Sequence, residues 1–345
     1  MKRIVRMPEK FDLIDLCDEF IQRSDLGLKK ITDITKIQEI IAKSIESYQS
    51  PTMLYGRRTE IMFAYIAAIL NECCFVKKED QGDLYLQPEY DLLIPDYRII
   101  TRDKTQFFVE VKNCHTTKHK HHNFRLPKKY VDKILNYCNL FSLEVKFAVY
   151  WSAWNIWVLF GLEDFDIDGN NYTISLETSI LKNQMSILGD FELGTLPPLS
   201  VKFLIDYPTP IRVKELSENG FISQQVEFRC GGNLITTSFE KKLAFFLMQF
   251  SNWHQVVITQ KDISESKRTL EYLISPEERI SGQDFELLGF MSSMISQKYK
   301  LITAPKGEIE QLSPNIDLAE LGFALPKNYS SKELPLWIIR VSSKQ

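Results

Sequence analysis

The stretch Thr105–Asn113, reading TQFFVEVKN, constrains this chain more than any other. Its aromatic and β-branched residues make it a β-strand. Side chains alternate across a strand, so Phe107, Val109 and Val111 share one face, the natural core face, while Phe108, Glu110 and Lys112 share the other. An acid and an amine therefore project into one space from the middle of an apolar strand. Burying either charge without a partner costs several kcal/mol. The pair has to face a cleft, each other, or a cation.

The flanking sequence supplies a partner strand. YDLLIPDYRII (90–100) is also β-rich, and the polar turn Thr101-Arg102-Asp103-Lys104 joins the two runs as a hairpin. For a turn centred on Arg102-Asp103, residues whose numbers sum to about 205 lie opposite one another. Asp96 then sits across from Val109 or Glu110, and Asp91 lands beyond Lys112. Asp96 and Glu110 come within reach of one divalent ion, and hard cations such as Mg²⁺ take carboxylate oxygens while retaining waters. A water on such an ion is easier to deprotonate, and an adjacent ammonium can orient it or offset developing negative charge. Ahead of the hairpin, Ser50-Pro51 breaks one helical pattern, and a second helix is expected from near Arg57 through RRTEIMFAYIAAILNECC, with Ile61, Tyr65, Ala68 and Ile69 as its apolar stripe. Behind it come a basic stretch, a helical pattern from Lys128 to Ser142, and the strands KFAVYW and NIWVLF, turned at Ser152-Ala153. This order folds as one α/β unit.

Pro95-Asp96, then thirteen residues, then Glu110-Val111-Lys112 resembles the signature of the PD-(D/E)xK nuclease superfamily, the restriction-endonuclease-like fold. The resemblance covers residues 55 to 160. The family order of helix, three strands, helix, strand is similar to the pattern just described, and many members carry a glutamate early in the first helix, which Glu60 supplies here. What the resemblance implies is a Mg²⁺ (or Mn²⁺) site held by Asp96, Glu110 and the Val111 carbonyl, assisted by Glu60, with Lys112 serving the attacking water. Asp91 is the alternative to Asp96, since the family tolerates variable spacing. Taken singly, each residue also suits a bland role: a solvated cross-strand pair, a turn former, or a helix-terminus charge. The four in the expected order favour the catalytic reading. Tyr130 and Lys133, on the helix after the basic stretch, are within reach of a substrate.

From Lys112 to Lys129 the chain holds six Lys or Arg, four histidines and no acid. In a protein of formal charge -3 this is a local basic patch, suited to phosphates through Lys118, Lys120, Arg125, Lys128 and Lys129. A zinc site from Cys114, His115, His119, His121 and His122 has suitable ligand types, but the spacing fits no common zinc pattern. The six cysteines are dispersed with no CxxC pair, in keeping with a reducing cytosol. No apolar run is long enough to span a bilayer, and the N-terminus lacks a signal-peptide pattern, so the expected location is cytoplasmic and no membrane partner is expected.

The expected architecture is α/β (α+β): a central mixed β-sheet flanked by helices in a restriction-endonuclease-like core, with an N-terminal helical segment and a second C-terminal α+β domain. The expected boundaries are 1–50, 51–165 and 185–345. In the C-terminal part, SVKFLIDY and QVEFRCGGNLITTS read as strands, the second turning over Gly231-Gly232-Asn233. FEKKLAFFLMQF and FELLGFMSSMIS read as helices, each followed by a short strand, QVVIT and KLIT. The leading functional expectation is a metal-dependent nuclease acting on DNA, in restriction, mobile-element defence or repair. The alternatives are a non-catalytic nucleic-acid-binding or scaffolding module and an RNase of the same fold. A homodimer is compatible with cutting both strands.

Overall fold

The computed structural model describes residues 51–79, 86–87, 89–115, 123–206, 223–264, 267–326 and 328–340 of the 345. The expected N-terminal helical segment lies outside the described residues. Helix α1 spans Pro51–Leu70 and begins at Pro51, not near Arg57. A proline suits the first helical turn because the N–H it lacks has no intrahelical partner there. Glu60 accordingly stands midway along α1, not early in it. Strands β1 (Cys73–Lys78), β2 (Tyr97–Thr101) and β3 (Gln106–Cys114) follow, then β4 (Asn123–Pro127), helix α2 (Lys128–Leu140), β5 (Val145–Trp151) and β6 (Ile156–Gly161).

These elements form a five-stranded mixed sheet of order β1-β2-β3-β5-β6, with β3 and β5 parallel and the other neighbours antiparallel. The hairpin register pairs Tyr97 with Val109 and Ile100 with Gln106, one residue from the expected register. Residues 90–95, read as β-rich, are not strand. The Leu93 N–H bonds to the Lys133 carbonyl of α2 at 3.0 Å, so this stretch is held by the helix instead of by a neighbouring strand. Part of the expected basic stretch is strand β4, which pairs with β8 (Asn171–Ser175), itself paired with β7 (Asp166–Asp168) around a turn at Asp168-Gly169-Asn170-Asn171.

Both faces of the sheet are covered, whereas alternation had marked one as the core face. Phe107, Val109 and Val111 pack with Phe63 and Ile66 of α1, and Phe108 packs on the opposite side with Val131, Ile134 and Tyr137 of α2. Helices on both sides bury the strand from Phe107 through Val111, with Lys112 and Asn113 partly exposed, and that overrides the solvent-facing reading of its polar face.

Beyond α3 (Leu176–Leu181), strands β9 (Glu192–Thr195), β10 (Leu199–Asp206), β11 (Ser223–Cys230) and β12 (Asn233–Ile235) lead into α4 (Ser238–Phe250). Next come β13 (Gln255–Ser264), β14 (Lys267–Ser275), β15 (Glu286–Phe290), α5 (Met291–Thr303), α6 (Leu318–Leu321) and β16 (Leu336–Ile339). The β11–β12 hairpin turns where expected. FELLGF is strand β15 and not helix, and the Leu301-Ile302-Thr303 stretch completes α5 in place of a strand. Among the described residues, two five-stranded sheets, two three-stranded sheets and six helices make the architecture mixed α+β. Among the described residues, no helix is long and apolar enough to cross a membrane. One continuous apolar cluster joins α1 and the first sheet to α4, α5 and Leu334, so the two halves share a core.

Phe63 sits in that shared core, fully buried, with its ring 5.9 Å from Tyr97 and 5.6 Å from Trp157. Phe63→Ala is expected to cost about 3–5 kcal/mol of stability in denaturant titrations followed by tryptophan fluorescence. A C-terminal transition that separates from the main one and ignores the substitution would contradict a continuous core.

Candidate functional site

The site opens where β2 stops and β3 continues. β3 pairs with β2 only through Gln106–Val109, and with β5 through Phe108–Cys114. Past Val109 the β2 side of β3 has no strand neighbour among the described residues, and Asp96 fills the gap: its Oδ2 accepts from the Val111 N–H at 2.8 Å. The proline before Asp96 helps to explain this, since Pro95 has no N–H to continue a ladder and Tyr97 becomes the first residue of β2. A side chain, not a backbone carbonyl, thus satisfies β3 at this point.

On β3 itself Glu110 is 3% exposed. Its Oε1 accepts from Lys112 Nζ and from the Tyr130 hydroxyl of the first turn of α2. Lys112 Nζ also donates to the Tyr130 oxygen at 2.9 Å, and stands 4.9 Å from the centroid of that ring. Glu110, Lys112 and Tyr130 therefore form a closed triangle of contacts. On the other flank, the Tyr97 hydroxyl donates to the backbone carbonyl of Glu60 at 3.0 Å, which ties the middle of α1 to β2. The Glu60 carboxylate is paired with Arg57 at 2.8 Å and with Lys78 of β1 at 3.1 Å.

Burial pushes Asp96 up to about 7, with the negative charges of Glu110 and Glu60 adding to the effect and Lys112 and the Val111 N–H opposing it. Burial also raises Glu60 above the usual carboxylate range, although Arg57 and Lys112 work against the shift. For Lys112, burial acts to lower the pKa, but the Glu110 carboxylate, with Tyr130 and Asp96, outweighs it and raises the value. Lys112 is therefore an ammonium at neutral pH, a donor and a positive charge, not a proton acceptor. Tyr130 is raised to about 12 by burial and by Glu110, so its hydroxyl keeps its proton.

The donor set fits a hard divalent cation: one carboxylate on β3 and one on the residue just before β2, crowded enough that Glu110 pushes Asp96 up, and no thiolate or imidazole among the contacts described. Among the described residues, no group of three or more His, Cys, Asp and Glu is arranged to hold a metal. One or two carboxylates, completed by waters and substrate phosphate, are the usual Mg²⁺ set, and Asp96 with Glu110 offers two.

Of the residues expected from sequence, Glu110 and Lys112 touch directly, Glu110 and Glu60 both push Asp96 up, and Lys112 acts against the shifts of Asp96 and Glu60. Asp91 is not among them: it pairs with Lys133 at 2.7 Å, and its side chain is 65% exposed. Arg125 pairs with Asp168 at 3.3 Å across β4 and β7. Lys128 and Lys129 occupy the first turn of α2, which has no acidic residue. Lys118 and Lys120, with His119, His121 and His122, lie outside the described residues. Arg57 and Lys78 were not foreseen. Arg57 reaches Glu60 from three residues earlier on α1, a spacing the helix itself brings together, whereas Lys78 meets Glu60 because α1 lies against the β1 edge.

The Asp96 shift gives stability a definite pH dependence. Protonated below its ordinary value of 3.8, the carboxyl is buried without charge; between there and about 7 the native state resists ionisation that the unfolded chain accepts. Metal-free protein is therefore expected to lose roughly 2–4 kcal/mol across that interval from this group and not to regain it at higher pH. Asp96→Asn should flatten the curve between pH 4 and 7, measured by denaturant unfolding in chelator. A parallel pair of curves would refute the assignment.

No family model matches the chain, and no curated protein matches it. Among solved structures it is similar to the Holliday junction resolvase of Archaeoglobus fulgidus, an archaeal hyperthermophile, at 16% sequence identity over 33% of this chain and 84% of that one. The TM-score is 0.26, too low to carry an argument about this chain.

Proposed function

We propose that this protein is a divalent-metal-dependent nuclease that hydrolyses phosphodiester bonds of DNA, as the PD-(D/E)xK resemblance implies. The observation that carries the reading is the meeting of Asp96, Glu110 and an obligate ammonium, Lys112, beside β3 where its pairing with β2 ends. Asp96, Glu110 and the Val111 carbonyl hold Mg²⁺ or Mn²⁺, with Glu60 assisting. The ion, when bound, supplies positive charge to the phosphate and leaving oxygen and makes water more acidic. Lys112 orients the attacking water by donating to it and offsets the negative charge that develops on the phosphoryl oxygens. Glu110 keeps that ammonium in place. The burial of Asp96 and Glu110 excludes bulk water, which strengthens each of these interactions.

Substrate is drawn in by Lys128 and Lys129 at the start of α2, where the positive end of the helix dipole adds to their charge, with Lys118, Lys120 and Arg125 continuing the basic stretch. The C-terminal part, from about 185, selects the substrate or supports a dimer. Restriction, mobile-element defence and repair all suit the activity.

A non-catalytic nucleic-acid-binding module is favoured by one specific observation: both carboxylates are already satisfied by protein donors. Cleavage assays on plasmid, single-stranded and branched DNA with Mg²⁺ or Mn²⁺ separate the two readings. Glu110→Gln and Lys112→Ala are expected to slow turnover about 10²-fold or more while leaving DNA affinity in chelator largely intact. Native protein that binds DNA but leaves every substrate uncut with either metal would favour the binding module. A parallel RNA substrate of the same sequence distinguishes an RNase. Replacing Lys128 and Lys129 with alanine should reduce the salt dependence of DNA binding by a slope of about 2, read from anisotropy titrations at several salt concentrations.

A further inference from the structure

The contacts of Tyr130 go beyond support. Its hydroxyl gives its proton to Glu110 Oε1 and receives a Lys112 N–H at 2.9 Å, while its ring lies 4.9 Å from the same ammonium. It therefore touches both members of the charged pair and comes from a different element, the first turn of α2. The consequences for the two partners differ. Lys112 gains a fixed direction for one of its three N–H groups, a benefit that persists whatever Glu110 does. Glu110 has an oxygen occupied twice, by an ammonium and a phenol. A cation that takes this Oε1 has to displace at least one of those donors.

We propose that Tyr130 is a positioning residue that acts as a latch: in the metal-free protein its hydroxyl holds Glu110 against Lys112, and when a divalent ion claims Glu110 it keeps hold of Lys112. This rests on the metal-dependent reading above. The latch lowers metal affinity, because the Tyr130–Glu110 bond is lost on loading, and improves the reaction, because Lys112 stays aligned. The alternative, a tyrosine that merely fills space beneath the sheet, predicts no such opposition between the two effects.

Tyr130→Phe removes the hydroxyl and retains the ring and its contact with the ammonium. A hydrogen bond to a charged group is worth about 1.5–3 kcal/mol, so Mn²⁺ affinity should rise about tenfold or more. This is read without turnover, from the free-Mn²⁺ electron paramagnetic resonance signal during titration of the full chain. Single-turnover DNA cleavage at saturating Mn²⁺ should fall about tenfold. Tyr130→Leu, which also lacks the hydroxyl, should tighten Mn²⁺ binding in the same direction, and circular dichroism checks that both variants are folded. Mn²⁺ affinity that is unchanged or weaker in the folded variants, with wild type binding the ion and cutting DNA, overturns the latch alone. Wild type that binds no Mn²⁺ and cuts nothing overturns the latch together with the nuclease reading.

Discussion

Everything at this site follows from burying a carboxylate in the central strand of a sheet that is covered on both faces. Glu110 cannot reach bulk water through α1 on one side or α2 on the other, so its charge has to be met from within. Lys112 and Tyr130 meet it. The pairing of the strand with β2 ends beside it, and the second carboxylate stands there with its oxygen on the Val111 N–H. A polar cluster so placed is costly unless each member has a partner, and in the metal-free chain each of these has one.

The partnership is uneven, which gives the site its chemical character. Glu110 and Glu60 both push Asp96 up, and Glu110 also pushes Glu60 up, whereas Lys112 is the ammonium that acts against both shifts. Burial and like-charge crowding together bring Asp96 to the edge of neutrality. Any added cation relieves that crowding, and the oxygen-only donor set selects a hard one. The same crowding fixes Lys112 as a charge and donor, which rules it out as the proton acceptor at neutral pH. The closed triangle around Tyr130 then bears on both affinity and alignment, because one hydroxyl serves two charged neighbours that a bound ion would treat differently.

Several elements were legible from residue patterns because the physics that decides them is local. Alternation placed Glu110 and Lys112 on one side of β3, the Thr101–Lys104 turn placed Asp96 beside them, and helical spacing found α2 almost to the residue. Errors arose where tertiary contacts outweighed local preference. Leu92, Leu93 and Ile94 have strand composition, but α2 holds their backbone. FELLGF has a helical look, yet pairs with β9. Helix α1 starts a turn and a half earlier than its apolar stripe suggested, since its first residues were judged by the proline alone.

By itself, the sequence determined that an acid and an amine must share a buried space, that a second acid lies near them across a short turn, and that a basic, acid-free stretch follows. Strand alternation and turn length act over a few residues and leave little freedom. Only the tertiary structure put Asp96 on the Val111 N–H and Asp91 on Lys133, because those contacts depend on where α2 packs. It also decided that Lys78 of β1 reaches Glu60, and that a tyrosine from another element closes the triangle on Glu110. Those contacts join residues far apart along the chain, and their energies depend on burial that no local window of sequence can specify.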